Sequence, residues 1–334
     1  MNTRRRWLAA GAAWPALAWT GALHAQADLR TAPVVIGLLE AASRERTAWA
    51  PKAFHEGMAA LGWKLGAQYV LEERYADARL EQLPALAQEI AATRPAVILV
   101  GGSSVARAAA AAAPTTPIVL YNGDPLAAGL VTSLARPGGL ITGVSNVTSE
   151  TRQKVIELLV EAMPKLRRVG FLIDSSSARR DANSTESRQA VERFRERFRV
   201  EPVFAEAAKP EDIAPAFAQL AKDKVQALVI WPSTWFNAHI KTMMEAALAQ
   251  RLPAVGVQAS IPTLGGLFSF GHNAFASARR SAHHVDRILK GAKPGDLPIE
   301  QPTTFDFVLN MKTARQLGIT IPPAVRIRAT QVIE

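Results

Sequence analysis

The side chains that could do chemistry are spread thinly along this chain of 334 residues. It contains no cysteine, which excludes disulfides, thiolate metal sites, a cysteine nucleophile and a lipid-modified cysteine. His283 and His284 are adjacent on a predicted helix, so their side chains diverge, and no other histidine belongs to a metal motif. Dinucleotide-binding, phosphate-loop and nucleophile-elbow motifs are missing. We therefore expect no catalytic residue, no metal and no cofactor, and we expect that the chain is not an enzyme.

Small polar loops follow the carboxyl ends of several predicted strands. Examples are Gly102–Ser104 and Asn122–Asp124 in the first half, and Pro232–Thr234 in the second. Open α/β sheets bind their ligands at this edge. We therefore predict a small-molecule site that contains Glu40, Ser103, Ser104, Asn122, Asp124, Asp174, Ser176, Trp231, Ser233 and Gln258.

Several of these residues also have a purely structural interpretation. Ser103 or Ser104 either helps a helix amino terminus to bind an anion or simply caps that helix. Asp124 either receives an ammonium or hydroxyl group, or forms an Asx turn. Trp231 and Trp235 either stack on an aromatic ligand or belong to the core. The sequence leaves these alternatives open.

Two consecutive series of alternating strands and helices carry the polar loops. Such alternation predicts parallel sheets with helices on both faces, and hence an α/β fold with two Rossmann-like lobes that meet near Asn146–Ser149. A short helix is predicted between Pro125 and Arg136. The predicted strands are Val34–Leu39, Tyr69–Arg74, Ala96–Val100, Ile118–Tyr121, Arg168–Ile173, Pro202–Ala205, Ala227–Trp231 and Ala254–Val257. The main predicted helices are Ala48–Leu61, Leu80–Thr93, Val105–Ala113, Glu150–Ala162, Ala182–Phe198, Ile213–Lys222 and Ala238–Gln250.

The carboxyl-terminal elements are too few to close a third core. They are predicted as strands Leu267–Phe270 and Thr304–Leu309 and helices Ala276–Leu289 and Lys312–Leu317. We expect them to return to the two lobes, so that several segments cross between the lobes and form a hinge. The predicted lobes are residues 28–146 plus about 266–295, and residues 147–265 plus about 296–334. The predicted hinge residues are Gly143, Ser145, Asn146 and Gly266.

The amino terminus has the pattern of an export signal. A basic start at Thr3–Leu8 precedes an apolar run that ends at the small-residue site Ala25–Ala27. We expect residues 1–27 to be removed after export to the periplasm by the twin-arginine or the general secretory route, without a lipid anchor. The formal net charge is +10. Because the basic residues are scattered and form no stripe, we expect no nucleic-acid partner.

Nine short segments together carry a resemblance to a known family. They are Gly123–Pro125, Gly129–Val131, Ser133–Gly139, Thr142–Ser145, Val285–Pro294, Asp296–Pro298, Glu300–Thr303, Asn310–Ala314 and Leu317–Gly318. On these segments the chain resembles the ABC-transporter substrate-binding protein family that includes tryptophan- and tyrosine-binding members. It departs from the family in the loop after the first strand, which is unusually charged.

The resemblance implies a type I periplasmic-binding-protein fold whose lobes close on a ligand. The expected function is that of an exported solute-binding protein, a monomer that presents an amino acid or aromatic carboxylate to a membrane permease. Two alternatives stay open, a binding protein that feeds a sensory receptor and an exported α/β enzyme. A DNA-binding regulator is disfavoured, because the export signal stands where a helix-turn-helix would be needed.

Overall fold

Two separate β-sheets form the framework of the chain. The computed structural model describes residues 32–145, 149–175, 192 and 195–334. Ala32–Glu334 form one compact unit. The predicted signal segment 1–27, Asn146, Ser176 and most of the predicted helix Ala182–Phe198 lie outside the described residues.

The first sheet has five parallel strands in the order β2-β1-β3-β4-β5. We call this sheet and the helices packed on it the first lobe. Its strands are β1 Val34–Glu40, β2 Tyr69–Tyr75, β3 Val97–Val100, β4 Ile118–Leu120 and β5 Ile141–Gly143. The helices that precede β5 are α1 Arg44–Thr47, α2 Trp49–Ala60, α3 Leu83–Ala92 and α4 Ser103–Ala112.

The second sheet has seven strands in the order β12-β11-β10-β9-β8-β6-β7, and only the β10–β11 pair is antiparallel. This sheet and its helices are the second lobe. Its strands are β6 Arg168–Asp174, β7 Glu201–Ala207, β8 Ala227–Ile230, β9 Ala254–Gly256, β10 Phe268–His272, β11 Phe305–Asn310 and β12 Gln331–Ile333. The remaining helices are α5 Ser149–Ala162, α6 Ile213–Lys222, α7 Thr234–Ala249, α8 Ser260–Thr263, α9 Ala274–Leu289, α10 Met311–Leu317 and α11 Pro323–Arg326. The predicted two-lobe α/β fold is confirmed.

The burial pattern explains why the central strands read as uninterrupted apolar runs. In β1 the residues Ile36 and Leu38 face the core under α2 and α9, whereas Leu39 faces the core under α3 and α4. A parallel strand that is covered on both faces has no solvent side, so it does not alternate polar and apolar residues. Helix α9 packs closely on α2 at Gly57. A Cβ added there would lie only 2.7 Å from the Cβ of Ala282, so the close approach requires glycine.

Three segments pass between the lobes. The first joins β5 to α5, the second joins β10 to α9, and the third leads from Glu300 to β11. The first and third are paired, because Ser145 N–H donates to the Glu300 carbonyl and Glu300 N–H donates to the Gly143 carbonyl, both at 2.8 Å. Gly143 has a φ of +127°, and a Cβ there would lie 2.6 Å from the Leu120 nitrogen. A glycine is therefore required where the chain leaves the first sheet.

Several predicted boundaries need correction. Gly266 is not a hinge residue, because it lies between α8 and β10 within the second lobe. The second crossing falls after His272, since β10 pairs with β9 and β11 whereas α9 packs on α2. The third falls after Glu300 and not near 296, because Ile299 still packs in the first lobe.

Two further differences concern helices. The segment predicted as a short helix after Pro125 consists of turns. Helix α7 begins at Thr234, four residues before its predicted start, because Ser233 caps it. None of the described helices is long and apolar enough to cross a membrane.

Candidate functional site

The carboxyl edge of the first sheet brings a glutamate, a glycine and a tyrosine into one row. The strand register pairs Leu38 of β1 with Leu99 of β3, and Leu99 with Val119 of β4. Two residues further along, the same register places Glu40, Gly101 and Tyr121 side by side. Because Gly101 has no side chain, the Tyr121 hydroxyl reaches across it and donates a hydrogen bond to Glu40 Oε1.

Glu40 is the most strongly perturbed acid at this edge. Its side chain is 3% exposed, and burial raises its pKa from 4.5 to about 8. A carboxyl group with this pKa is mostly protonated at neutral pH, so it can donate as well as accept a hydrogen bond. Glu40 is one of the predicted site residues, whereas Tyr121 and Gly101 were not predicted. The register of neighbouring strand ends is the signal that would have identified them.

The loops after β3 and β4 are held together by short polar contacts. Ser103 Oγ accepts a hydrogen bond from Asp124 N–H at 3.1 Å, and Asp124 Oδ1 accepts one from Ala127 N–H at 3.0 Å. Asp124 therefore makes the turn contact of its structural interpretation. Helix α4 has Gly102 at its cap position and no side-chain cap, so neither Ser103 nor Ser104 is the cap of that helix.

The remaining predicted residues of the first lobe and of the β6 edge are less deeply placed. Asn122 and Ser104 are half-buried on the loops that follow β4 and β3. Asp174 is half-buried at the carboxyl end of β6. Asn122 and Ser104 border the strand ends of the first sheet without joining the Glu40–Tyr121 row, whereas Asp174 belongs to the second sheet.

At the carboxyl edge of the second sheet, some predicted residues cap a helix or pack in the core, and others carry a polar atom without a hydrogen-bond partner. Ser233 Oγ accepts a hydrogen bond from Phe236 N–H at 3.0 Å, which makes Ser233 the cap of α7. Trp235 is buried and stacks on His239 with 4.8 Å between ring centroids. Trp235 thus has the structural role that the sequence left open, and Ser233, which was predicted as a ligand contact, has a structural role as a cap.

Three buried polar atoms at this edge have no hydrogen-bond partner among the residues that the structure describes. They are Trp231 Nε1, Gln258 Oε1 and His272 Nε2. These residues stand at or just beyond the carboxyl ends of β8, β9 and β10, which are neighbours in the sheet. A buried polar atom without a partner costs roughly 1–3 kcal/mol, so each of these atoms marks a place where a ligand can supply the missing bond.

The surroundings of these three side chains determine what each can offer. Trp231 packs in the core against Phe171, and the Arg152 guanidinium lies 5.9 Å from the centroid of its ring. Gln258 Nε2 donates to Asn237 Oδ1 at 2.8 Å, which leaves its carbonyl oxygen as the unpaired acceptor. Burial lowers the pKa of His272 to about 4, so this ring is neutral at physiological pH. His272 is not among the predicted site residues, although it ends β10.

Contacts across the cleft join the two carboxyl edges. Arg46 of α1 donates to two backbone carbonyls of α7, those of Asn237 at 2.7 Å and Ala238 at 2.8 Å. Leu80 packs against core clusters of both lobes. The two edges therefore face each other, and each lies next to the crossing segments. This geometry defines a two-lobed α/β protein whose lobes are in contact at the carboxyl edges of their sheets.

Comparisons with known proteins identify the family. The profile described as "ABC transporter substrate binding protein" matches residues 35–333. The chain belongs to this family, as the resemblance predicted.

A curated relative and two solved structures are similar over most of the chain. A tyrosine-binding protein of Clostridioides difficile is 21% identical over 271 residues, which are 81% of this chain and 76% of the relative. A conserved domain protein from Vibrio cholerae is 25% identical, with a TM-score of 0.81 over 90% of this chain and 100% of the other. An ABC domain from Streptococcus pneumoniae in complex with L-Trp is 24% identical, with a TM-score of 0.79 over 90% and 100%. The fold of the last protein is shared over nearly its whole length.

Proposed function

We propose that this protein is the exported solute-binding component of an ABC importer. It captures a small organic ligand between its lobes and presents it to a membrane permease. The observation that carries the proposal is the set of unpaired buried atoms on Trp231, Gln258 and His272, which lie at the edge that faces Glu40 across the cleft. A ligand in that position would satisfy the polar atoms of one lobe while it contacts the other.

Closure of the lobes around the crossing segments would couple binding to recognition by the permease. Only contacts that the ligand makes with both lobes can favour the closed state over the open one. The paired segments at Ser145 and Glu300 leave few backbone positions to absorb the rotation. We propose that these positions are Gly143 to Asn146 and the short stretches around Asn273 and Gln301.

An amino acid or an aromatic carboxylate is the ligand class that we propose. The uncapped amino terminus of α4 beside Ser103 suits a carboxylate, because free N–H groups and the helix dipole favour an anion. Neutral donors and acceptors at Trp231, Gln258 and His272 suit the uncharged polar end of such a molecule. The curated relative is named for tyrosine, and the Streptococcus pneumoniae structure contains L-Trp. We further propose a monomer in the periplasm, released from its signal segment and free of a lipid anchor.

A thermal-shift screen followed by calorimetry tests the proposal. The probes are L-tryptophan, L-tyrosine and benzoate, added to the full chain. A ligand at about 100 times its Kd stabilises the folded state by about 2.7 kcal/mol, which raises Tm by about 4 °C for a protein of roughly 300 residues. No stabilisation by any of the three probes would refute the proposed ligand class.

A matched pair of tryptophan variants tests the site. Trp231→Phe keeps an aromatic ring, although a smaller one, and removes the unpaired Nε1 donor, so we expect affinity to fall about tenfold. Trp235→Phe serves as the control, because Trp235 packs in the core within α7. Equal affinities of the two variants would refute the assignment of Trp231.

A further inference from the structure

Arg46 is an unusual contact between the lobes. It lies on α1, directly after the edge that carries Glu40, and both of its acceptors lie in the first turns of α7. The two bonds, at 2.7 and 2.8 Å, join residues that are 191 and 192 positions apart in the chain. They are therefore tertiary contacts that exist only while α1 and α7 stand close together.

Stabilisation of α7 does not explain this contact. A helix macrodipole favours cations at the carboxyl end, whereas Asn237 and Ala238 are near the amino end of α7. Holding an arginine in one conformation also costs side-chain entropy. The Arg46 guanidinium instead donates two charge-assisted hydrogen bonds to backbone carbonyls of the opposite lobe.

Asn237 connects this grip to the ligand edge. Its carbonyl accepts the bond from Arg46, and its side-chain Oδ1 accepts the bond from Gln258 Nε2 at 2.8 Å. This bond fixes the orientation of the Gln258 side-chain amide. The Gln258 nitrogen is occupied by Asn237, and the Gln258 oxygen is the buried atom without a partner. Hydrogen bonds thus connect Arg46 in the first lobe, through Asn237, to Gln258 at the candidate site in the second lobe.

We propose that Arg46 and Asn237 are positioning residues for Gln258. On closure Arg46 holds the first turn of α7 in place, and Asn237 then presents the Gln258 carbonyl oxygen to the ligand. The ligand must therefore offer an N–H or O–H donor at this point. The role of Gln258 in ligand binding rests on the proposed function. The contact of Arg46 with α7 does not depend on it. Arg46 itself touches no ligand.

The first experiment needs no ligand. Because the chain has no cysteine, the exposed Lys52 of α2 and Lys222 of α6 can be changed to cysteine and spin-labelled without background labelling. We expect Arg46→Met to shift the ligand-free distance distribution toward a more open separation of the lobes. Arg44→Met is the control, since Arg44 pairs at 3.0 Å with Glu73 inside its own lobe. Superimposable distributions for the two variants would overturn the contact between the lobes.

The second experiment measures binding of L-tryptophan and L-tyrosine by calorimetry. We expect Arg46→Met and Asn237→Ala each to weaken binding about three- to tenfold, and the double variant to be hardly worse than either, because the two residues act as one unit. Unfolding of the ligand-free variants at the wild-type Tm would show that the fold is intact. Fully additive losses, or an Arg46→Met affinity equal to that of Arg44→Met, would overturn the positioning role.

The two proposals fail in different ways. If the wild-type chain binds neither amino acid, the proposed ligand class is wrong, while the distance measurement still decides whether Arg46 holds the lobes together. If the wild-type chain binds and closes but Arg46→Met does so equally well, the proposed function stands and the positioning role is refuted.

Discussion

Substitution of Glu40 by glutamine should make the protein less sensitive to alkaline pH. Glu40 is buried, its pKa is raised from 4.5 to about 8, and burial is the cause. A carboxyl whose pKa is raised in the folded state favours folding fully below its unfolded pKa. That contribution is lost as the pH rises from about 4.5 to about 8, because the unfolded chain ionises freely and the folded chain does not.

The size of the effect follows from the two pKa values. One pKa unit corresponds to about 1.36 kcal/mol, so wild-type protein should lose about 3 kcal/mol between pH 4.5 and pH 7, and up to about 5 kcal/mol by pH 9. Glu40→Gln keeps the oxygen that accepts from Tyr121 and carries no titrating group. We therefore expect the variant to match wild type within about 1 kcal/mol at pH 4.5 and to be more stable by several kcal/mol at pH 9.

Urea unfolding, followed by tryptophan fluorescence from pH 4.5 to pH 9, gives the free energy of unfolding at each pH. Glu81→Gln is the control, because Glu81 is exposed to solvent. If the profiles of wild type and Glu40→Gln run parallel across this range, Glu40 ionises freely in the folded protein and the reasoning is wrong.

Three further predictions concern packing, capping and acid stability. Gly101→Ala places a Cβ 2.5 and 2.6 Å from the Glu40 carboxyl oxygens and should lower the free energy of unfolding in urea by about 2–4 kcal/mol. Gly139→Ala is the control, because the added Cβ meets open space, and it should change the free energy of unfolding by less than about 1 kcal/mol. Equal effects of the two substitutions would contradict the packing argument. Ser233→Ala removes the cap of α7 and should lower stability by about 0.5–2 kcal/mol in the same assay, and an unchanged midpoint would show that the cap contributes nothing. The pKa of His272 is lowered to about 4, so the stability it supports is complete above pH 6.5 and falls by up to about 3 kcal/mol toward pH 4; His272→Leu should flatten this acid limb of the unfolding curve, and an equally steep limb would refute the assignment.

Much of the fold could be predicted from local patterns. The apolar runs that became β1, β3, β6 and β8 were placed to within a residue or two, because a strand covered on both faces leaves an unmistakable pattern. Prediction failed where local patterns were ambiguous. The stretch after Pro125 has helix-like residues but forms turns. The crossing was predicted near Gly266, which is too early, because the sequence does not show that β10 belongs to the second sheet.

The candidate site shows the same division. Glu40, Trp231 and Gln258 could be selected as candidates because polar or aromatic residues at strand ends are visible in a single sequence. Asp124 and Ser233 were selected on the same basis, yet each mainly completes a backbone turn or cap. His272 looked like an isolated histidine, since nothing local shows that its Nε2 is buried without a partner.

The amino-acid sequence by itself determined the alternation of strands and helices, the two lobes, the polar strand ends and the family. These features depend on periodicity, turn residues and motifs that lie within a few positions of each other. Only the tertiary structure decided that Tyr121 reaches Glu40 across Gly101, and that Arg46 grips the carbonyls of α7. Those contacts depend on strand register and on the approach of segments 81 to 192 residues apart, which no local pattern encodes.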